Sequence, residues 1–459
     1  METEKRLAEY VADTGFQELP GHALEVIKNV VLTNLGTTIG GADAEGCREA
    51  VDLAREWGGS KESTLHVHGG KVPAHNAAFA NSVMARALDF DDVMNPGIHV
   101  GASSVPTALA MAERVGGCSG KDFLAALVLG TEVAARINAA SAYDGFDPVG
   151  ICTVFATAAV AGRILGLNAR QMLDALALAL NRAGGSFQSN IDGALAVRFI
   201  QGFASQGGII SAQLAQRGIT GPQNFLEGMH GYFHLYAKDK QDTELVAGEL
   251  GKRFELSNTV FKKYPSSGST MASTQAVLEL VREKGIGPDD VAEVRVRVTR
   301  QAFRMGGHPF VIGDNPTVNA QFNIRYCVAN AFHRKCSKLQ HFEPLSIKEP
   351  QIMDLARRVH TQPDAALESR GLLAMDMEVV IRDGTVFRKS VDIPAGFPGN
   401  PLSRDEHMER FWDCVGYAQR PWPRANVDKI ISLVEGLEGL DDVRSLIPLL
   451  LRAPGQTGH

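Results

Sequence analysis

Three stretches of this chain, 123–140, 154–167 and 204–216, are so rich in Ala, Gly and aliphatic residues that they fit only the inside of a helical protein. Each spreads small and apolar side chains over most of a helix's circumference. A helix apolar nearly all round has to be buried, so these segments predict a layered all-α core. Small residues at this density also let helix axes approach closely. With 459 residues the chain is too long for one ordinary core, and two or three domains are expected.

The texture changes near Lys262-Lys263-Tyr264-Pro265-Ser266-Ser267-Gly268, a turn-rich junction. Beyond it, Val294-Arg295-Val296-Arg297-Val298-Thr299 alternates apolar and polar residues, the pattern of a strand with one wet face. Residues 377–381 predict a second strand. Asp383-Gly384 marks a tight turn, and 385–391 predicts its hairpin partner. Helices are expected at 320–332 and 347–359. Ile393-Pro394-Ala395-Gly396-Phe397-Pro398-Gly399-Asn400-Pro401 reads as a linker, and Ser403-Arg404-Asp405-Glu406 after it as a capping box opening further helices to about Leu451. Residues 453–459 read as a frayed tail. The expected fold is mainly α with an α+β lid: a large all-helical domain formed by both chain ends, 1–265 and 403–459, plus a smaller inserted α+β domain, 266–402.

Composition narrows the functional classes. The formal net charge is -6, from 46 basic and 52 acidic residues, and no Lys/Arg-rich tract stands out. Nucleic acid is therefore not expected as a partner. An anion site on such a chain has to be a local cationic pocket. The opening Met1-Glu2-Thr3-Glu4-Lys5-Arg6 lacks the apolar core of a signal peptide, and no run of ~18–20 apolar residues predicts a membrane span. Six scattered cysteines without a CxxC pair fit a reduced, cytoplasmic protein.

The densest chemistry lies at Leu88-Asp89-Phe90-Asp91-Asp92, followed by His99, between two apolar helical stretches. Buried Asp is rare unless it is paired or hydrogen-bonded, so the cluster demands partners or a function. Residues 78–89 predict a helix with Asp89 near its C-terminus, where a carboxylate opposes the helix dipole and calls for a compensating cation. His99, ahead of Gly101, Ser103 and Ser104, is placed to be held by the Asp cluster as a general acid or base. The plainer reading is a set of solvated loop acids with a capping histidine. Tyr143-Asp144-Gly145-Phe146-Asp147-Pro148 joins two apolar helices, so Tyr143 and Asp147 are candidates to face one cleft. Asp before Pro is equally an ordinary helix start. Arg198, in an apolar helical stretch, and Lys262 and Lys263, beside Tyr264, suit a carboxylate-bearing substrate, or equally a plain ion pair.

No metal is expected. His66, His68, His75 and His99 form no ligand motif: 65–71 reads as a short strand and turn, and HExxH is absent. Neither GxGxxG after a strand nor GxxxxGK[ST] occurs, and no GxSxG elbow is convincing.

These residues together resemble the MmgE/PrpD family, which includes 2-methylcitrate dehydratase, cis-aconitate decarboxylase and iminodisuccinate epimerase. The likeness is carried by Lys71-Val72-Pro73-Ala74-His75-Asn76-Ala77-Ala78-Phe79-Ala80-Asn81, by Ala87-Leu88-Asp89-Phe90-Asp91-Asp92 and by His99. It continues in Gly145-Phe146-Asp147-Pro148, Lys262-Lys263-Tyr264-Pro265 and Ala320-Gln321-Phe322-Asn323-Ile324-Arg325-Tyr326. The resemblance implies a cofactor-free homodimer, a helical domain with an inserted lid, and a cleft under that lid lined by Asp89, His99 and Lys262. It implies chemistry on a small di- or tricarboxylate through a proton next to a carboxylate. The chain departs from the lyase pattern at Asp147 and Ser267, where histidines are common, and at Val197, where Lys often precedes Arg.

The reading that follows is a lyase of the dehydratase type or an epimerase resembling iminodisuccinate epimerase. Asp89, His99, Tyr143 and Lys262 are its catalytic candidates, with His99 oriented by Asp89 and Tyr143 as second proton carrier. Arg198, Asp147, Tyr264 and Ser267 are its substrate-binding candidates, with Arg198 and Lys262 steadying enolate-like charge. The alternative from another class is a non-catalytic carboxylate-binding or interaction protein on the same scaffold.

Overall fold

The structure is a computed structural model that describes residues 2–452; the tail expected at 453–459 lies outside them. The chain divides into two compact units, Met1–Thr259 with Cys414–His459, and Val260–Asp413. The divisions fall at 259 and 413 where the sequence placed them at 265 and 402. The reason is local. The Phe261 N–H donates to the Gly396 carbonyl at 2.9 Å, so both the 262–268 turns and the 393–401 segment belong to the second unit.

The first unit is helical. Its main elements are α1 (Glu2–Asp13), α2 (Gly21–Gly41), α3 (Cys47–Glu56), α4 (Ala74–Arg86), α5 (Gly101–Arg114), α6 (Gly120–Ala139), α7 (Val154–Ile164), α8 (Ala169–Leu180), the short α9 (Gln188–Ile191) and α10 (Ala196–Gln216). The three Ala/Gly-rich stretches are α6, α7 and α10, and α10 packs against both α4 and α7. Small residues set that approach: a Cβ on Gly208 of α10 would lie 2.1 Å from Thr157 Oγ1 and 2.6 Å from the Ala158 nitrogen of α7. Caps start the helices in register. Ser119 accepts the Asp122 N–H at the head of α6, and Asn168 with Gln171 closes a capping box on α8. Five residues of π-helix, Val149–Thr153, lead into α7.

One buried ion pair braces this unit. Glu132 and Arg136, one turn apart on α6, are both fully buried. The Glu132 carboxylate also accepts the Glu255 and Leu256 N–H groups at 3.0 Å. Arg136 donates to the Gly248 carbonyl at 2.7 Å and the Arg253 carbonyl at 2.6 Å. Each charge is thus hydrogen-bonded as well as paired, the condition under which a buried ion pair is tolerated.

The second unit carries a four-stranded sheet in the order Val359–Pro363, Val291–Val298, Met375–Ile381, Val386–Val391. The first pair is parallel, Val294 opposite Val359, and the others antiparallel, Val296 opposite Met377 and Met377 opposite Lys389. Val291, Val294, Val296 and Val298 are buried and join a core with residues of the helices Gly268–Lys284 and Ile324–Arg334. Two expected helices break. The one at 320–332 divides into Pro316–Gln321 and Ile324–Arg334, because Asn323 caps a fresh start. The one at 347–359 ends as Pro350–Arg357, and Val359 instead opens the edge strand. The capping box at 403 is present, with Ser403 N–H donating to Glu406 Oε2 at 2.7 Å and opening Arg404–Tyr417. Among the described residues no helix is long and apolar enough to cross a membrane.

Candidate active site

Helix α4 ends at Arg86, three residues before Asp89 and not beyond it as the sequence indicated. Asp89 lies in the left-handed region, φ 51°. That conformation is uncommon for a residue with a side chain, though Asp tolerates it better than most. The reversal returns Asp89 to the helix end: Arg86 Nη1 donates to Asp89 Oδ1 at 2.6 Å. The cation that the helix dipole argument called for is therefore Arg86, a residue the sequence reading did not select. A basic residue in the last turn, three positions before an acid, was the available signal.

Asp91, not Asp89, orients His99. Asp91 is fully buried, and its Oδ2 lies 3.1 Å from His99 Nδ1, while its Oδ1 stands 3.6 Å from Arg86 Nη1. Burial pushes the Asp91 carboxyl up, but His99 and the Arg86 guanidinium outweigh it and hold the group below the usual carboxylate range. An ionised carboxylate only accepts hydrogen bonds, so the hydrogen between the two groups sits on His99 Nδ1. Asp89 differs in exposure. Its side chain is 23% accessible against 0% for Asp91, so Asp89 is the more exposed of the two.

Asp92, next to Asp91, is buried and fully engaged. Its carboxylate accepts Asn34 Nδ2 at 2.7 Å and the Gly101 N–H at 3.0 Å, tying α2 to the first residue of α5. Burial, reinforced by the Asp91 charge, raises its pKa. Two adjacent acids are thus driven in opposite directions. Gly101 is required here, since a Cβ would lie 2.1 Å from Asp92 Oδ1.

The remaining candidates of this unit sit around that centre. Tyr143 donates its hydroxyl to Asn138 Oδ1 at the end of α6, and Asn138 Nδ2 donates to the Asn95 carbonyl at 2.9 Å. Burial, then Cys152, drives the phenol pKa up, so it keeps its proton. Asp147 is buried with both oxygens engaged: Oδ1 accepts the Val149 N–H at 2.9 Å and Oδ2 accepts Asn190 Nδ2 at 2.9 Å. The helix-start reading of Asp147 therefore describes its local bonding. Its charge still reaches Arg86. Arg198, half-buried near the start of α10, donates to the Glu45 carbonyl. Burial lowers its pKa, with Arg86 and Asp89 among the charges acting on it.

Lys262, Tyr264 and Ser267 belong to the second unit. Lys262 is buried, and its carbonyl accepts Arg410 Nε at 2.6 Å. Tyr264 is buried and its pKa raised, first by burial and then by Glu279 and Glu406. Ser267 caps the helix Gly268–Lys284. Lys263 is ion-paired to Glu406.

The histidines considered as ligands have other positions. His66 is buried, and His68 Nε2 lies 3.0 Å from the Ala42 carbonyl. Their segment is the turn between the strands Ser63–Thr64 and Lys71–Val72, and Val67 at φ 63° breaks the alternation expected there. Ligand-type atoms of Asp89, Asp91 and His99 do lie within 4.8 Å of one another. The Arg86 guanidinium already places positive charge among them, which makes the group a poor cage for a second cation.

Comparison with known proteins agrees with the architecture. Residues 5–245 match the MmgE/PrpD N-terminal domain, and residues 264–433 match the MmgE/PrpD C-terminal domain. The chain is 26% identical to cis-aconitate decarboxylase of Homo sapiens over 451 residues, 95% of this chain and 92% of that protein. It is 24% identical to the Mus musculus enzyme of that name over 443 residues, 93% and 88% of the two chains. With cis-aconitate decarboxylase of Aspergillus terreus the identity is 23% over 476 residues, 97% and 95% of the two chains. The two domain matches together span most of the sequence, and the chain belongs to the MmgE/PrpD family.

Proposed function

We propose that this protein is a lyase-type enzyme that acts on a small di- or tricarboxylate by removing a proton from a carbon next to a carboxylate. The observation that carries the reading is the buried Asp91–His99 pair beside a partly open, conformationally strained Asp89. Burying such charges is costly, and strain of this kind persists where the surroundings enforce it. In the proposed step His99 takes the proton at Nε2 and Asp91 stabilises the imidazolium. In elimination the C–H electron pair moves into an enolate-like system and expels a β-hydroxyl that leaves with a proton as water; in decarboxylation the C–C electron pair of a carboxylate enters that system instead, carbon dioxide leaves, and the protonated His99 delivers its proton to carbon. Arg198 attracts a substrate carboxylate. Tyr143, which keeps its proton, serves as a donor once substrate replaces Asn138. The roles of Lys262, Tyr264 and Ser267 rest on the family resemblance. The same resemblance underlies a cofactor-independent mechanism, and the scattered cysteines underlie a cytoplasmic location.

The relatives' names make cis-aconitate the first compound to test, within a panel of di- and tricarboxylates in deuterated water. An alkene or released carbon dioxide, lost in His99→Gln, is the expected result. No turnover and no deuterium uptake across the panel would overturn the enzymatic reading in favour of a carboxylate-binding protein. Epimerisation is the second reading, favoured by Asp147: where lyases often place an imidazole, this carboxylate is committed to Val149 and Asn190. Deuterium incorporation without an alkene would select it.

A homodimer is part of the same proposal. Trp57, Phe203, Leu195, Ile191 and Phe187 are exposed, and Trp57 and Phe203 meet across Phe79, with ring centroids 5.3 and 5.6 Å from it. Apolar surface of this kind commonly marks an association face. Light scattering should give twice the chain mass, and Phe203→Glu should lower it; a monomeric parent protein would refute the dimer.

A further inference from the structure

Arg86 stands between two carboxylates but serves them unequally. It donates to Asp89 Oδ1 at 2.6 Å, while Asp91 Oδ1 lies 3.6 Å away, beyond hydrogen-bond reach. That Asp91 oxygen is buried and makes no hydrogen bond in the structure. An unmet buried acceptor costs on the order of 1–3 kcal/mol, more for a charged group. A guanidinium that needs only about 0.7 Å of travel to reach ordinary hydrogen-bond length is an available donor for it.

We propose that Arg86 is a positioning residue that shuttles between Asp89 and Asp91 and so couples the charge on Asp89 to the basicity of His99. The proposal rests on the reading of His99 as the proton acceptor. With Arg86 on Asp89, the negative charge of Asp91 is available to stabilise imidazolium, and His99 binds a proton readily. When Asp89 is neutralised by a proton, Arg86 moves onto Asp91 Oδ1. Asp91 is then partly neutralised, and His99 gives its proton up. Uptake and return of a proton at one imidazole are thereby tied to the charge state of the partly exposed Asp89. The charges that bear on this arrangement include Asp91 and Asp92 beside His99, Asp89 and Asp147 around Arg86, and Arg198, which interacts with Arg86 and Asp89.

The test is an NMR titration of His99 in the full-length protein, its resonance assigned by its loss in His99→Gln. Arg86→Met should raise the His99 pKa by about one unit, because a neighbouring cation is removed. Arg86→Lys should restore most of the parent value, and urea midpoints confirm that each variant is folded. Asp89→Asn should lower the His99 pKa more in the parent protein than in the Arg86→Met background. Equal shifts in the two backgrounds, or a His99 pKa unmoved by Arg86→Met, would overturn the shuttle. The titration needs no substrate. Coupling without turnover would therefore refute the enzymatic reading alone, and turnover without coupling would refute the shuttle alone.

Discussion

Gly101→Ala inserts one methyl group where the acid site is anchored, and its consequence follows from geometry. The new Cβ would lie 2.1 Å from Asp92 Oδ1, 2.3 Å from Asn34 Nδ2 and 2.5 Å from Val30 Cγ1. All three are far inside normal contact, and none has an easy retreat. Asp92 is buried and hydrogen-bonded to both Asn34 and the Gly101 N–H, and Asn34 is held in turn by the Val30 carbonyl at 2.8 Å. Relief requires α5 to withdraw from α2 or Asp92 to swing away. Overpacking costs about 1–3 kcal/mol. Losing one hydrogen bond to a charged group adds about 1.5–3 kcal/mol. The gain in helix propensity from replacing Gly is under ~1 kcal/mol and is smallest at a first helical position. The expected net loss is about 2–5 kcal/mol in urea unfolding at neutral pH. Because Asp91 adjoins Asp92, the His99 resonance should shift as well. A variant within about 0.5 kcal/mol of the parent, the ordinary range of neutral substitutions, would refute the reasoning.

Three further outcomes are expected. Asp91→Asn removes the carboxylate that fixes His99, so turnover should fall by about two to four orders of magnitude, as for general-base chemistry in the wrong tautomer, with KM moving far less; unchanged kcat would exclude Asp91. Arg136→Met strands the buried Glu132 charge and should cost about 3–5 kcal/mol in urea unfolding, whereas Glu132→Gln/Arg136→Met together should recover part of it; a near-neutral single variant would contradict the brace. Burial holds His66 neutral down to about 4, from an ordinary value of 6.5. The unfolded chain therefore binds the proton first, and stability falls as pH drops from 6.5 toward 4. The difference reaches about 2 kcal/mol at pH 5. His66→Leu should lose that part of the acid slope, and parallel pH–stability curves would refute it.

The helical half of the fold was legible because its signal is local. The stretch read at 123–140 is α6 at Gly120–Ala139, and small residues reported close packing before any partner was known. Alternation likewise found Val291–Val298 and the hairpin Met375–Ile381 with Val386–Val391. The edge strand Val359–Pro363 was missed since only Val359 is buried, and its conformation is set by parallel pairing with a strand some sixty residues earlier. Tertiary pairing overrides propensity in such a segment. In the site, residue types were readable and partners were not. Asn34, Asn138 and Asn190 look like any other asparagine until folding brings them to Asp92, Tyr143 and Asp147.

The exchange of roles between Asp89 and Asp91 shows what the backbone adds. Had α4 run on to residue 89, Asp89 would have lain on a helix surface and His99 would have been its natural partner. The helix stops at Arg86, and the left-handed turn at Asp89 folds that carboxylate back over the helix end while sending Asp91 inward. The result has a definite charge logic. Asp91 lies against His99 and favours a proton on it, while the Arg86 cation, within reach of both Asp89 and Asp91, opposes that proton. The proton affinity of the imidazole is then set by the charges around it and not by the ring alone. With Arg86 removed, one opposing cation is lost and an imidazolium would hold its proton more tightly. In the proposed reaction His99 both accepts and gives back a proton, and Arg86 would supply the intermediate balance that this needs.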